Sequence, residues 1–418
     1  MLKSILVTGL FLCLTCSLTA QRELKNPLVD SKQILTKGLA LHTDGKYKEA
    51  IAEYLKVAAS DTNYAQILAE LVASNYTDSN YVAAENYAKK GLELFPEKKL
   101  TFLRSLADIY DDTERSDKAL PVYDSIIAMN PYDYLTYFNK GISLYRQEKN
   151  DEAALNFQKT IMLNPYYSSA HYFLGLIQMQ KGNLVEAMLS FITNLFVYPG
   201  NKYYQKAINH LSSISQVNTT VTDYLKNYKP GRENNFESVQ DIVISKIALD
   251  KKYKLKVDLE DQIIRQLQVM CEKLEYNAAD KGFWMQYYVP AYSKIWADKK
   301  FEPFIFYIFS DLAIDRVKSY VKKEKKELEK ASSPLFEYFN TIRKSQELTV
   351  SKRESTKIQY YISNYLVIGK GEFGKNDKDE DILIGPWEFY FNSGKIKSKG
   401  VFDNKGLRNG DWSYYYEN

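Results

Sequence analysis

The chain is poor in the residues that carry covalent and metal chemistry. It has three histidines, His42, His171 and His210, in 418 residues. None stands beside a glycine-flanked serine, so a nucleophilic Ser–His pair has no local signature. Its three cysteines, Cys13, Cys16 and Cys271, do not form the paired Cys/His spacing of a zinc site. No glycine-rich loop that could cradle phosphate occurs. The sequence therefore predicts a non-enzyme without cofactor or metal. Charge of one sign is missing too. Lys and Arg number 56 against 52 Asp and Glu, a net charge of +4. That balance offers no basic surface for nucleic acid. Long apolar runs are absent as well. The apolar run at residues 5–18 falls short of the roughly 20 residues needed to cross a bilayer.

That run has another reading. Lys3 precedes it, and Ser17-Leu18-Thr19-Ala20 follows with small residues before Gln21. Residues 1–20 read as a secretory leader cleaved near Ala20/Gln21. Cys16 is a poor lipid-attachment site, with Thr15 before it and Cys13 in the place of an aliphatic residue. Cleavage would remove Cys13 and Cys16 and leave Cys271, so no internal disulfide is expected. Leu267, Met270 and Leu274 surround Cys271 at helical spacing and predict a buried thiol. The expected location is the periplasm or envelope of a diderm bacterium. The mature chain would have no transmembrane helix and at most a peripheral association with the membrane.

What is present is a repeat. Between residues 31 and 201, Ala50, Ala84, Ala119, Ala153 and Ala187 recur with a period near 34. Four residues on stand Tyr54, Ala88, Tyr123, Phe157 and Phe191. Twelve before the alanines stand Gly38, Val72, Ala107, Gly141 and Gly175. Twelve after them stand Thr62, Pro96, Pro131, Pro165 and Pro199. Each unit reads as two amphipathic helices, the second running from about Tyr47 to Ala58 in the first unit. The alanine lets the helices approach, the aromatic fills the space one turn later, and the proline ends the unit. These columns resemble the tetratricopeptide repeat at its small, alanine, aromatic and proline positions, over about five units. The second unit departs most, with Val72 and Ala88, and Tyr87 is its candidate filler.

The resemblance implies a mainly α fold, an α-solenoid whose first helices line a concave groove. The family's groove positions fall on Tyr76, Asp108, Asp111, Asp112, Phe138, Tyr145, Arg146, Tyr172 and Met179. Leu35 and Leu39 occupy places where the family's clamp for acidic C-termini needs Lys and Asn. An aromatic wall beside three carboxylates suits a protein or peptide segment with basic and apolar residues.

Residues 202–351 read as a helical extension or cap. Helices are expected at residues 203–216, 220–228, 236–252, 259–274 and 310–330. Residues 283–309 hold Trp284, Tyr287, Tyr288, Tyr292, Trp296 and further aromatics, broken by Lys294, Asp298 and Lys300. This predicts helix hairpins packed on the repeats rather than a membrane hairpin. From Lys357 to the end the period becomes strand-like, with turns at Asn392-Ser393-Gly394, Asp403-Asn404 and Asn409-Gly410. A small antiparallel meander of about five strands is expected. Gly385-Pro386-Trp387 returns as Gly410-Asp411-Trp412, and Gly371-Glu372-Phe373 as Gly400-Val401-Phe402. This module, residues 357–418, resembles the MORN-type repeat in its bacterial antitoxin-type variant, which implies a role in membrane or protein association. Trp387, Phe389, Trp412 and Tyr414 are its candidate contact residues. Asp377, Asp379 and Asp381 imitate a calcium loop, but Ile382 stands where that loop needs Gly. The function expected is a scaffold in an envelope assembly or secretion complex. The alternative is glycan or lipid head-group binding through the C-terminal sheet.

Overall fold

The computed structural model describes residues 29–230, 236–351, 354–363, 366–391 and 393–417. The expected leader, residues 1–20, lies outside the described residues. The chain divides into two compact units, Met1–Thr113 and Glu114–Asn418.

In the first unit, helices α1 (Ser31–Thr43) and α2 (Tyr47–Tyr54) form one hairpin, and α3 (Tyr64–Thr77) and α4 (Tyr81–Leu94) a second. A 3-10 turn at Pro96–Lys98 leads into α5 (Lys99–Asp112). Asp30 caps α1, its carboxylate accepting from the Lys32 and Gln33 amides. Helix α2 stops at Tyr54, short of the expected Ala58, because the chain folds back and buries Val57. Gly38 explains the first hairpin. A Cβ there would lie within van der Waals radii of the Tyr54 ring, and Tyr54 is fully buried. The second hairpin reverses the volumes: Val72 on α3 and Ala88 on α4 are both buried, and Tyr87 packs half-buried against the cluster around Tyr54, Leu71 and Phe102.

The second unit begins with α6 (Ser116–Met129), then the hairpins α7 (Tyr134–Arg146) with α8 (Asn150–Leu163), and α9 (Ser168–Gln180) with α10 (Leu184–Val197). Here the glycine–aromatic pair repeats. A Cβ on Gly141 would come within 2.7 Å of the Phe157 ring, and one on Gly175 within 2.8 Å of Phe191. Ala153 and Ala187 are wholly buried. Asn130 and Asn164, each before a repeat-closing proline, turn the chain by accepting from the Tyr132 and Tyr166 amides.

Helix α10 is largely apolar and buried from Leu184 to Phe196, its Glu186, Ser190, Thr193 and Asn194 included. A helix of that kind needs cover all round. The extension supplies it, as α11 (Tyr204–Gln216), α12 (Thr219–Leu225), α13 (Glu237–Ser245), α14 (Gln262–Lys273), α15 (Phe283–Tyr287), α16 (Val289–Ala297), α17 (Phe301–Ile308), α18 (Asp315–Lys323) and α19 (Lys325–Lys344). One continuous core joins α7–α10 to these helices. The extension therefore encloses the last repeat instead of only covering its end. The single helix expected at residues 310–330 is two, broken at Glu324, and α19 runs on to Lys344 through Pro334. Its apolar stripe, Leu328, Ala331, Leu335 and Phe339, is buried, which leaves the lysines on the outer face. Cys271 is buried on α14, and burial pushes its thiol up to about 12.

Six strands follow as an antiparallel meander in chain order: β1 (Ser345–Ser351), β2 (Glu354–Ser363), β3 (Leu366–Lys375), β4 (Asp381–Tyr390), β5 (Ile396–Phe402) and β6 (Arg408–Tyr414). Strand structure thus starts ahead of Lys357. Asn409-Gly410 is not the expected turn but lies inside β6, where the register with β5 shifts. Gly385 sits likewise inside β4 at a register shift against β3. Both glycines have positive φ, +64° and +68°, as a bulge requires. The bulges explain the sequence repeat. Trp387 follows one and lies over Gly371 of β3; Trp412 follows the other and lies over Gly400 of β5. Phe373 meets Trp387 edge-on at 5.1 Å, and Phe402 meets Trp412 edge-on at 5.0 Å. Gly371→Val will drive the Trp387 ring from its site at a cost of about 1–3 kcal/mol. A red shift in tryptophan emission measures it, and unchanged emission would contradict this packing.

Candidate functional site

In the first unit, Tyr76, Asp108, Asp111 and Asp112 gather on facing turns of α3 and α5. The Tyr76 hydroxyl donates to the Asp112 carboxylate, and the Tyr81 ring meets Tyr76 edge-on at 5.7 Å. Burial, then this hydrogen bond, raises the Tyr76 phenol above its usual range. The Asp108 carboxyl is pushed up to about 6, first by burial, then by the charges of Asp112 and Asp111, against the opposing pull of Arg104. Asp108 keeps part of its surface in solvent and Asp111 is buried. The cluster is a short acidic patch with a tyrosine edge, suited to a cation or a donor.

In the second unit the predicted residues separate into two sets. Phe138, Tyr172 and Met179 are buried, 9%, 5% and 3% exposed. Phe138 packs against Tyr167 at 4.8 Å, so these three hold helices together and offer little open surface. Tyr145 is half-buried and Arg146 exposed. The Tyr145 hydroxyl accepts from Gln180 at 3.0 Å, and its ring meets Phe173 at 5.8 Å. Phe173 in turn meets Tyr203 at 5.3 Å. Tyr203 lies stacked on Tyr172 at 4.3 Å, with the ammonium groups of Lys202 and Lys206 at 5.3 and 6.0 Å from its ring.

Tyr145 on α7, Phe173 on α9 and Tyr203 just ahead of α11 thus form a half-exposed aromatic ladder, with lysines at its end. Sequence reasoning missed Phe173 and Tyr203. The signal for Tyr203 is Asn201, whose side chain accepts from the Tyr203 amide at 2.9 Å, as Asn130 and Asn164 do before Tyr132 and Tyr166. Behind the ladder, the Tyr172 hydroxyl meets His210 Nε2 at 3.3 Å. Burial pushes the Tyr172 phenol up to about 12 and lowers His210.

The sheet residues differ in access. Trp387 is 1% exposed, and its indole N–H donates to the Glu372 and Ile384 carbonyls at 3.0 and 3.1 Å. Phe389 and Trp412 are half-buried, and Tyr414 is exposed. The Arg408 guanidinium covers Trp412 at 4.5 Å and donates to the Tyr414 hydroxyl at 2.7 Å. On the other face Tyr390 packs on Tyr132 at 5.1 Å, which seats the sheet on the repeat closed by Pro131. Asp377 and Asp379 lie in the β3–β4 loop and Asp381 opens β4, where Lys375 pairs with it at 3.0 Å. Among the described residues no three His, Cys, Asp or Glu side chains gather as a metal site. No described helix is long and apolar enough to cross a membrane.

Residues 138–192 match the tetratricopeptide repeat family. This segment is similar to the tetratricopeptide repeat. The match covers α7–α10 almost to their ends, where the glycine–aromatic pairs are most regular. Solved structures with similar architecture include MamA residues 41 to the end from Desulfovibrio magneticus RS-1, at 20% identity and a TM-score of 0.37, covering 40% of this chain and 93% of that one. Another is YrrB, described as a TPR protein with an unusual peptide-binding site, at 20% identity and a TM-score of 0.36, covering 43% of this chain and 91% of that one. No curated protein matches the chain. The fold is mainly α with a small antiparallel sheet, and repeats of this family bind protein or peptide partners.

Proposed function

We propose that the chain is an exported, non-enzymatic scaffold of the cell envelope that binds a protein segment on the first helices of its repeats. The carrying observation is the Tyr145–Phe173–Tyr203 ladder, which presents ring edges and faces on a rigid, buried support. Rigid aromatics give contact area at low entropic cost. The lysines at the ladder and the carboxylates around Asp108 bracket the charge of suitable partners: acidic and apolar for the former, basic for the latter. Export rests on residues 1–20, and the C-terminal sheet is read as a MORN-like module of two units.

The test is capture of partners from an envelope fraction by the mature protein and by Tyr145→Ala/Tyr203→Ala. Both side chains are half-exposed, so the variant keeps its fold, checked by circular dichroism. Capture should fall at least about tenfold, the scale of losing two anchors. Equal capture by both proteins would sink the ladder as the binding surface. A second reading puts glycan or lipid head-group binding on the sheet, favoured by the Arg408–Trp412–Tyr414 cluster. Trp412→Ala/Tyr414→Ala should then abolish envelope association while capture by the ladder persists.

A further inference from the structure

A cavity of about 110 Å³ opens between α16 and α19, in the extension and away from both surfaces above. Its floor is apolar: Ala291 and Ile295 on one helix, Ala331 and Leu335 on the other, all buried. Its rim is basic, with Lys294, Lys300 and Lys330. Two carboxylates answer these three ammonium groups. Asp298 pairs with Lys294 at 2.9 Å. Glu327 pairs with Lys330 at 2.6 Å and stands 3.8 Å from Lys300. That last separation is long for a hydrogen bond. Lys300, with the longest of these separations, is the ammonium least held. Tyr338 closes the far end, but its hydroxyl already donates to the Gln286 and Tyr287 carbonyls at 2.9 Å each.

Two prolines line the cavity. Pro334 lies inside α19, and Pro290 is in the first turn of α16. Pro334 has no N–H to donate to the carbonyl of Lys330, and its ring loosens the helix at that turn. The small Ala291 and Ala331 leave room that larger residues would fill.

We propose that this cavity binds a small amphipathic carboxylate, with a body of about four to six carbons on the apolar floor and the acid head on Lys300. The size is bounded by volume: the cavity, at about 110 Å³, is smaller than the roughly 150 Å³ apolar cavity that admits benzene, so a slender chain suits it better than a ring. The sign follows from the three ammonium groups at the rim, of which Lys300 is the least tightly paired, since a charge-assisted hydrogen bond favours an ionised acceptor. An anionic head explains the basic rim, and an apolar body explains the floor.

The experiment is isothermal titration calorimetry of the full chain with hexanoate, 1-hexanol and hexylamine at low salt. Hexanoate should saturate, with hexanol about tenfold weaker and hexylamine weaker still. Lys300→Gln should weaken hexanoate about tenfold and leave hexanol unchanged, while Lys300→Arg restores it. Lys300 is half-buried, so circular dichroism checks that these variants fold, and the ligand series needs no variant at all. Absence of saturable binding, equal affinity for hexanoate and hexanol, or an unchanged affinity in Lys300→Gln would each overturn the proposal. So would tighter binding of a peptide with a free C-terminal leucine than of hexanoate, because the occupant would then be a protein end.

Discussion

Gly175→Ala will destabilise the protein by about 1–3 kcal/mol, although alanine is the better helix former by about 1 kcal/mol. The added methyl would sit 2.8 to 3.1 Å from three carbons of the Phe191 ring. Phe191 has nowhere to go. It is wholly buried, stacked on His210 at 5.2 Å and close to Tyr172 at 6.0 Å. The two helices must therefore separate, and α10 is covered on its other sides. Phe191→Leu introduced with Gly175→Ala should recover part of the loss, because the smaller side chain can yield. Urea unfolding of the four proteins in this cycle measures the coupling. Additive effects, or a stabilising Gly175→Ala, would show that helix contact does not rest on this pair.

Acidification will cost the fold about 3 kcal/mol through His171. The ring is wholly buried. Its Nε2 donates to the Pro165 carbonyl at 2.8 Å, so Nδ1 accepts from the Tyr288 hydroxyl at 2.7 Å. Both nitrogens are satisfied in the neutral ring, and burial lowers the imidazole to about 4 from an ordinary 6.5. Above pH 6.5 neither folded nor unfolded chain carries the proton, and stability does not respond. As pH falls below 6.5 the unfolded chain takes up a proton that the folded chain refuses, so stability declines. The decline ends near pH 4, where the folded ring also titrates. Each pH unit in that window is worth about 1.4 kcal/mol. His210, also lowered by burial, acts in the same direction. Unfolding midpoints at pH 7 and pH 4.5 for the wild type and His171→Gln give the result, with a smaller pH dependence expected in the variant. An equal dependence in both would assign the acid sensitivity elsewhere.

The repeats were legible because their packing is local. Gly38 faces Tyr54, Gly141 faces Phe157 and Gly175 faces Phe191 across one hairpin, so contact and sequence spacing are the same information. The sheet was legible for the same reason, with each Trp covering a Gly on the adjoining strand. Its turns were less so. Asn409-Gly410 has the composition of a hairpin turn, yet the register places it in a bulge within β6. The site was read only in part. Family positions named Phe138, Tyr172 and Met179, but α8, α9 and α11 close over them. Phe173, one residue from Tyr172, stays half-buried, and a repeat position alone does not distinguish the two.

The sequence by itself determined the helical hairpins, their period near 34 residues and the paired Gly–Trp units of the sheet. All of these depend on residues a few turns or one strand apart, where chain geometry leaves few alternatives. Only the tertiary structure decided that the extension encloses α10, that His171 meets Tyr288, that Tyr390 seats the sheet on Tyr132, and that three lysines converge between α16 and α19. Those pairings join residues far apart in the chain. Their closeness comes from which apolar faces find one another during folding, and no spacing rule carries that choice.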